Sequence, residues 1–272
     1  MSSPLPALND NITAVLKRHA RMVLDPWRTL PLKTAIEKTV RPGNIVVDCG
    51  CGIGILSFYA CQAGAKKVFA IDCDGESIAV GQWLAKKYGW ADRIVWFEDL
   101  ACNIDLPEKA DVLIQETIGT LGFDENFLAT LADAKKRFLK KSGKIIPQQV
   151  ELWGQLGSAQ RPASIPKCLA KIITSQYRKD RLTLKTKFIA TRNAPIKEVT
   201  VWPRVIWGKN SVTDCAPHLP MTHWGQANLK VTPKKIKKNE AVCFELRFAP
   251  HPQNPWVQTE MLWRLTSARR IR

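Results

Sequence analysis

Residues 46–72 read VVDCGCGIGILSFYACQAGAKKVFAID, and they decide the fold. An unbroken apolar strand, Asn44 to Asp48, runs straight into glycines at 50, 52 and 54, and a helical stretch follows to Gly64. Continuous apolar strands belong in parallel sheets with both faces covered. Glycines between a strand and a helix let a ligand approach the backbone at the positive helix N-terminus. The dinucleotide fingerprint GxGxxG fails because position 55 is Ile, which disfavours a dinucleotide phosphate site. The next strand, Lys67 to Asp72, ends 18 residues beyond Gly54 in a carboxylate, which can accept hydrogen bonds from both hydroxyls of a ribose. Asp48, Gly50, Gly52, Gly54 and Asp72 are therefore the candidate nucleoside site.

Outward from this core the first half keeps alternating. Leu30 to Val40 reads as a helix stopped by Pro42-Gly43, and Glu76 to Tyr88 as an amphipathic helix ending before Gly89. Arg93 to Phe97 and Asp111 to Gln115 read as strands, Asn126 to Leu139 as a long helix, and Lys144 to Ile146 as the opening of a fifth strand. This order predicts a Rossmann-like α/β fold with a doubly wound parallel sheet. The second half changes period. Short β-rich runs at Val150 to Leu156, Lys187 to Ala190, Glu198 to Ile206, Ala227 to Val231 and Ala241 to Phe248 predict an antiparallel β-barrel or sandwich, and the barrel is preferred. Helical periodicity there is confined to a basic stretch from about Ile165 to Tyr177. The expected domains are 1–147, which binds the cofactor behind an N-terminal helical segment, and 148–272, a basic substrate domain.

The chain has 272 residues, 45% of them hydrophobic and 24% charged, ordinary values for a globular protein. No apolar run reaches transmembrane length, and the opening MSSPLPALNDNI lacks the basic and apolar regions of a secretory signal. A cytoplasmic location follows as the expectation. PKKIKK at 233–238 is either a nuclear address or a solvated turn. The eight cysteines have no zinc spacing, so no metal is expected, and they read as buried free thiols. Charge is uneven: residues 1–150 hold 19 basic and 17 acidic residues, net +2, whereas 151–272 hold 22 and 7, net +15. Such a surface either simply solvates the domain or attracts a polyanion such as RNA or a ribosome.

The segment 46–72 resembles the cofactor-binding stretch of class I S-adenosylmethionine-dependent methyltransferases, and most of all that of the protein arginine N-methyltransferases. The resemblance implies that Asp48 and the glycines line the methionine and ribose part and that Asp72 holds the ribose. Upstream, HARMVLDPWRT carries His19, Met22, Asp25 and Arg28 at the family's places. The family's arginine at Arg28 binds the cofactor carboxylate, which suits a bidentate guanidinium. The family's glutamate near the adenine falls at Cys102; Asp99 and Asn103 are the nearby alternatives.

The strand ending at Gln115 is followed by Glu116 and, nine residues on, Glu125, across a glycine-containing loop. This resembles the family's double-glutamate hairpin, which grips the substrate guanidinium. The chemistry fits: guanidinium is planar, stays protonated and is a poor nucleophile, so two carboxylates can fix its plane and turn one nitrogen toward the methyl group. Taken alone, Glu125 also reads as a helix N-terminal carboxylate. Thr222-His223-Trp224 would alone mean little more than packing, yet it matches the family's barrel loop. There the histidine pairs with the aspartate at Asp25, either to accept the released proton or to clamp the domains. Trp224 and Gly52 to Leu56 would wall the substrate channel. The chain departs from the family in three places. Residues 1–18 lack any aromatic, Thr117-Ile118 replaces an aromatic-methionine pair, and the dimerisation arm survives at most as a divergent 158–182. The expected activity is methyl transfer to arginine of a basic protein or peptide. The alternatives are another nucleophile, such as a small guanidine metabolite or an RNA-associated substrate, and a noncatalytic binding module. A homodimer is a candidate assembly. Met22 accompanies asymmetric dimethylation in the family, while Phe127 stands where a second methionine would.

Overall fold

The computed structural model describes residues 10–256 and 258–267; most of the stretch read against a secretory signal lies outside them. The chain divides into two compact units. The first comprises the described residues up to Thr117, with Thr130–Gln148 and Ile206–Thr213; the second comprises Ile118–Ala129, Gln149–Val205 and the described residues from Asp214 on.

The first unit contains α1 (Asp10–Val23), α2 (Pro26–Thr39), β1 (Ile45–Cys49), α3 (Ile55–Gln62), β2 (Lys67–Asp72), α4 (Gly75–Lys87), β3 (Ile94–Glu98), β4 (Ala110–Gln115), most of α5 (Phe127–Arg137) and β5 (Leu139–Ile146). The strands form one sheet in the order β3-β2-β1-β4-β5, every neighbour parallel. Every residue of β1 is buried, as its unbroken apolar pattern requires. The order reverses between β1 and β4, so the loops leaving those strands diverge and open a crevice at their carboxyl ends. Helix α1 lies over the glycine turn. Its Ile12 and Val15 pack with Ile53 and with Val80 of α4, and Arg18 is bonded to Asp74, the N-cap of α4.

The second unit is antiparallel. Its strands are β6 (Gln149–Leu156), β7 (Lys167–Ile173), β8 (Leu182–Ile189), β9 (Ala194–Gly208), β10 (Ser211–Asp214), β11 (Ala227–Ile236), β12 (Ala241–Pro250) and β13 (Thr259–Ser267); the end of β9 and most of β10 belong to the first unit. One sheet runs β10-β9-β6-β7 with β11 also on β9, and a second runs β13-β12-β8. Side chains join the two sheets at both seams: Lys167 Nζ donates to Lys187 O (2.8 Å), and Trp263 Nε1 donates to Lys230 O (2.7 Å). Phe188, Phe244 and Phe248 fill the core, and Phe123 meets Phe248 edge-on at 5.4 Å.

Two expectations are corrected. The basic stretch read as helical holds strand β7, because it pairs with β6 from Gln149↔Ile173 to Gly154↔Lys167 with a bulge between Leu152 and Trp153. The spacing of Leu169 and Ile172 fits a helix and a bulged strand equally well. The cysteines are all free, but only Cys49, Cys51, Cys61 and Cys215 are buried; Cys73 and Cys168 are exposed.

Candidate active site

The first unit gathers its predicted residues at the crevice between β1 and β4. Gly50, Gly52 and Gly54 all take positive φ, +75, +52 and +84°, which turns the chain sharply from β1 into α3. A Cβ on Gly52 would overlap His19 Cε1, so only glycine lets this ring rest on the turn. Asp72, at the end of β2, spans the site: Oδ2 accepts from Gly52 N (2.7 Å) and Oδ1 from Asp74 N (3.0 Å). Each oxygen keeps a lone pair for a further donor, as a ribose diol needs.

Asp48 is fully buried at the end of β1. Its Oδ2 accepts from Ser57 Oγ (2.7 Å), while Oδ1 has no partner. Burial pushes its carboxyl up to about 7; the charges of Asp72 and Glu116 add to that, and the Ser57 hydroxyl opposes it. His19 is held down to about 4, chiefly by burial and then by Arg18, so the ring is neutral at pH 7. The Ser77 hydroxyl donates to Asp74 (2.8 Å), so His19 Nε2 donates to Ser77 Oγ (3.1 Å), leaving Nδ1 an acceptor.

Asp25 caps α2, its Oδ1 accepting from Trp27 N (3.0 Å) and Arg28 N (3.2 Å). This cap aims Arg28 inward. Arg28 Nη2 donates to Glu116 Oε2 at 2.6 Å, with both side chains under a tenth exposed, and Arg28 Nε has no partner. A guanidinium thus sits on Glu116 in a nearly dry crevice. Met22 closes α1, and its carbonyl accepts from Thr29 Oγ1 (3.1 Å). Three residues of this site escaped the sequence reading. Ser77 orients His19. Glu98 faces Asp72 in register and crowds Gly75. Trp96 fills the space over Gly54 and Gly81, where a Cβ would stand 2.5 Å from its ring. The alternation of Ile94, Trp96 and Glu98 along β3 was the available signal. Asp99 accepts from Leu100 N (2.6 Å) and Asn103 Nδ2 (2.8 Å), which ties that loop to itself.

The remaining predicted residues belong to the second unit. Trp224 is buried, its Nε1 donates to Ile118 O, and its ring lies 4.2 Å from that of His223. Thr222 Oγ1 meets Cys215 Sγ at 3.1 Å, and Gly225 N closes a turn on Thr222 O (3.1 Å). The loop after Ile118 wraps around Asp124, which accepts from Leu121 N (2.9 Å) and is crowded by Gly119. Burial raises the Asp124 carboxyl above its usual range. Glu125, next in the chain, is exposed just before α5. Among the described residues no group of three or more His, Cys, Asp or Glu is placed to hold a metal. No described helix is long and apolar enough to cross a membrane.

The fit to a nucleoside cofactor carrying an amino-acid tail rests on two orphaned buried atoms. Arg28 Nε offers a donor to a carboxylate and Asp48 Oδ1 offers an acceptor, beside the glycine turn and the Asp72 carboxylate.

Comparison with known proteins points the same way. Residues 29–148 match the family described as ribosomal protein L11 methyltransferase (PrmA). The chain is 31% identical over 159 residues to the probable protein arginine N-methyltransferase 6 of Arabidopsis thaliana, covering 56% of this chain and 36% of that protein. It is 34% identical over 190 residues to the histone-arginine methyltransferase CARMER of Anopheles gambiae, covering 67% of this chain and 29% of that protein. The chain therefore spans little more than a third, or less, of these relatives' lengths. Its fold matches the Trypanosoma brucei PRMT1 enzyme-prozyme heterotetrameric complex with AdoHcy, with a TM-score of 0.79 at 19% identity over 94% of this chain and 100% of that one. It also matches Arabidopsis thaliana protein arginine methyltransferase 10, with a TM-score of 0.78 at 17% identity over 94% and 99% of the two chains.

Proposed function

We propose that this chain is an S-adenosylmethionine-dependent N-methyltransferase acting on the arginine guanidinium of a protein or peptide. The observation that carries this reading is the buried Arg28–Glu116 pair: the carboxylate assigned to a substrate guanidinium already binds one at 2.6 Å. Its similarity to arginine methyltransferases supports the same reading.

S-adenosylmethionine, when bound, supplies an electrophilic methyl group on a sulfonium. The chain's own residues do the rest. Asp72 holds the ribose, Asp48 and the glycine turn face the methionine part, His19 and Met22 cover it, and Arg28 takes its carboxylate. Arg28 thus serves two carboxylates. Its unpartnered Nε would take the cofactor's carboxylate while Nη2 holds Glu116. Glu116 and Glu125 fix the guanidinium plane, and Trp224 walls its approach. His223 with Asp25 accepts the released proton or clamps the domains 1–147 and 148–272. The two antiparallel sheets, joined at both seams, are read as a β-barrel. A homodimer, a cytoplasmic setting and docking of the basic second half on a polyanion, RNA or a ribosome, complete the proposal. The polyanion reading resolves a conflict, since a basic substrate would be repelled by a +15 half unless it arrives already bound to a polyanion.

Titration calorimetry with S-adenosylhomocysteine tests the cofactor assignment. Binding is expected in the native chain and is weakened tenfold or more in Arg28→Ala and in Asp72→Ala, because each removes charge-assisted hydrogen bonds of about 1.5–3 kcal/mol. A native chain that binds no S-adenosylhomocysteine overturns it.

A further inference from the structure

Part of the charge excess of the second half lies on one sheet face. The outer face of β13-β12-β8 is set by the register of its central strand. Val242, Phe244, Leu246 and Phe248 point into the core, so Cys243, Glu245 and Arg247 point out. Beside them on β8 stand Lys187, Lys185 and Thr183, and on β13 stand Thr266, Arg264 and Leu262. Cations i and i+2 on one strand lie about 6.6–6.8 Å apart, and strands lie about 4.8 Å apart, so these side chains form a grid. Glu245 is the acid within these three rows and is already engaged, by Arg264 at 2.7 Å and Lys185 at 3.6 Å. Lys185, Lys187, Arg247 and Arg264 are all exposed. At the Thr183–Arg247 end, the turn before β8 adds Arg178 and Lys179, both exposed. The turn between β12 and β13 adds Trp256, 42% exposed, and β13 adds Leu262, 53% exposed.

A cationic sheet face ending in an exposed indole is suited to one kind of polyanion. Cations track the phosphates, and an aromatic face stacks an unpaired base, which a duplex or a lipid headgroup does not offer. We infer that the outer face of β13-β12-β8, with its two turns, docks single-stranded RNA. Lys179, Lys185, Lys187 and Arg247 contact phosphates, and Trp256 stacks a base. This deepens the polyanion reading above, on which it rests, and is independent of methyl transfer.

Fluorescence anisotropy with a labelled U20 RNA at several salt concentrations tests it on the full chain. The quadruple Ser variant of Lys179, Lys185, Lys187 and Arg247 should weaken binding at least tenfold. It should also flatten the log affinity against log salt slope by about 3, roughly 0.7 for each lost contact. Trp256→Ala should weaken binding about fivefold or more with the slope unchanged, and Lys185→Arg with Lys187→Arg should retain it. If the quadruple variant binds as tightly as the native chain while loss of Lys234, Lys235, Lys237 and Lys238 abolishes binding, the face is wrong and polyanion docking stands. If the native chain does not bind U20, both fall. Tighter, variant-sensitive binding to phosphatidylserine vesicles than to U20 overturns RNA as the partner.

Discussion

At the scale of single residues, the site balances buried charges against one another. Arg28 and Glu116 are 88 residues apart in sequence and 2.6 Å apart in space. Removing one partner strands the other charge in a dry crevice, at a cost of about 3–5 kcal/mol. Arg28→Ala should therefore lower thermal stability as well as cofactor affinity, whereas truncation of an exposed cation such as Lys209 should leave both unchanged. Asp48 gives a pH signature. Its folded-state carboxyl is raised from 3.8 to about 7 by burial, so its favourable contribution is full below pH 4 and is lost as pH rises through 7. Asp48→Asn has no such loss. The stability of Asp48→Asn relative to the native chain should therefore climb between about pH 4 and 7 and then level off. A difference that stays flat across this range, measured by thermal melts, would contradict the burial argument. The meeting of Asp48, Asp72 and the glycines at one turn was legible because a strand and a turn fix them locally. The Arg28–Glu116 pair was not, because Arg28 was read against the cofactor and Glu116 against the substrate, and only the fold brings them together.

At the scale of elements, helix α4 shows packing outweighing propensity. Gly81 sits in its interior, where alanine would ordinarily favour the helix by about 1 kcal/mol. An added Cβ there would meet Trp96 at 2.5 Å and the Ile53 carbonyl oxygen at 3.1 Å. Overpacking of this kind costs about 1–3 kcal/mol, and a backbone carbonyl cannot swing aside. Gly81→Ala is expected to be net destabilising by about 1 kcal/mol, a fall in Tm of roughly 2–4 °C; a raised Tm would mean that β3 does not press Trp96 onto α4. The same contest explains what the sequence reading of elements achieved. β1, β2 and β4 announce themselves because burial on both faces demands unbroken apolar runs. β7 does not, because its bulge against β6 breaks the period-two alternation that marks a strand. Among the β-rich runs, β10 went unread because its four residues are too few to show a period, and β13 because it is a half-exposed strand at the end of its sheet.

At the scale of the whole molecule, a nearly neutral half that carries the parallel sheet is followed by a half of net +15. The division by charge was visible in composition, but the cluster of Lys185, Lys187, Arg247 and Arg264 on one sheet face was not, since that needs the pairing of β8, β12 and β13. The central claim is that the crevice at β1 and β4 transfers a methyl group to arginine. Radiolabelled methyl transfer from S-adenosylmethionine into lysate of the native host tests it most directly, with Glu116→Gln and the exposed Glu125→Gln as controls. Label is expected in protein, released on hydrolysis as methylarginine and absent with both variants. Label in RNA or small molecules alone, or no label while S-adenosylhomocysteine still binds, would contradict it.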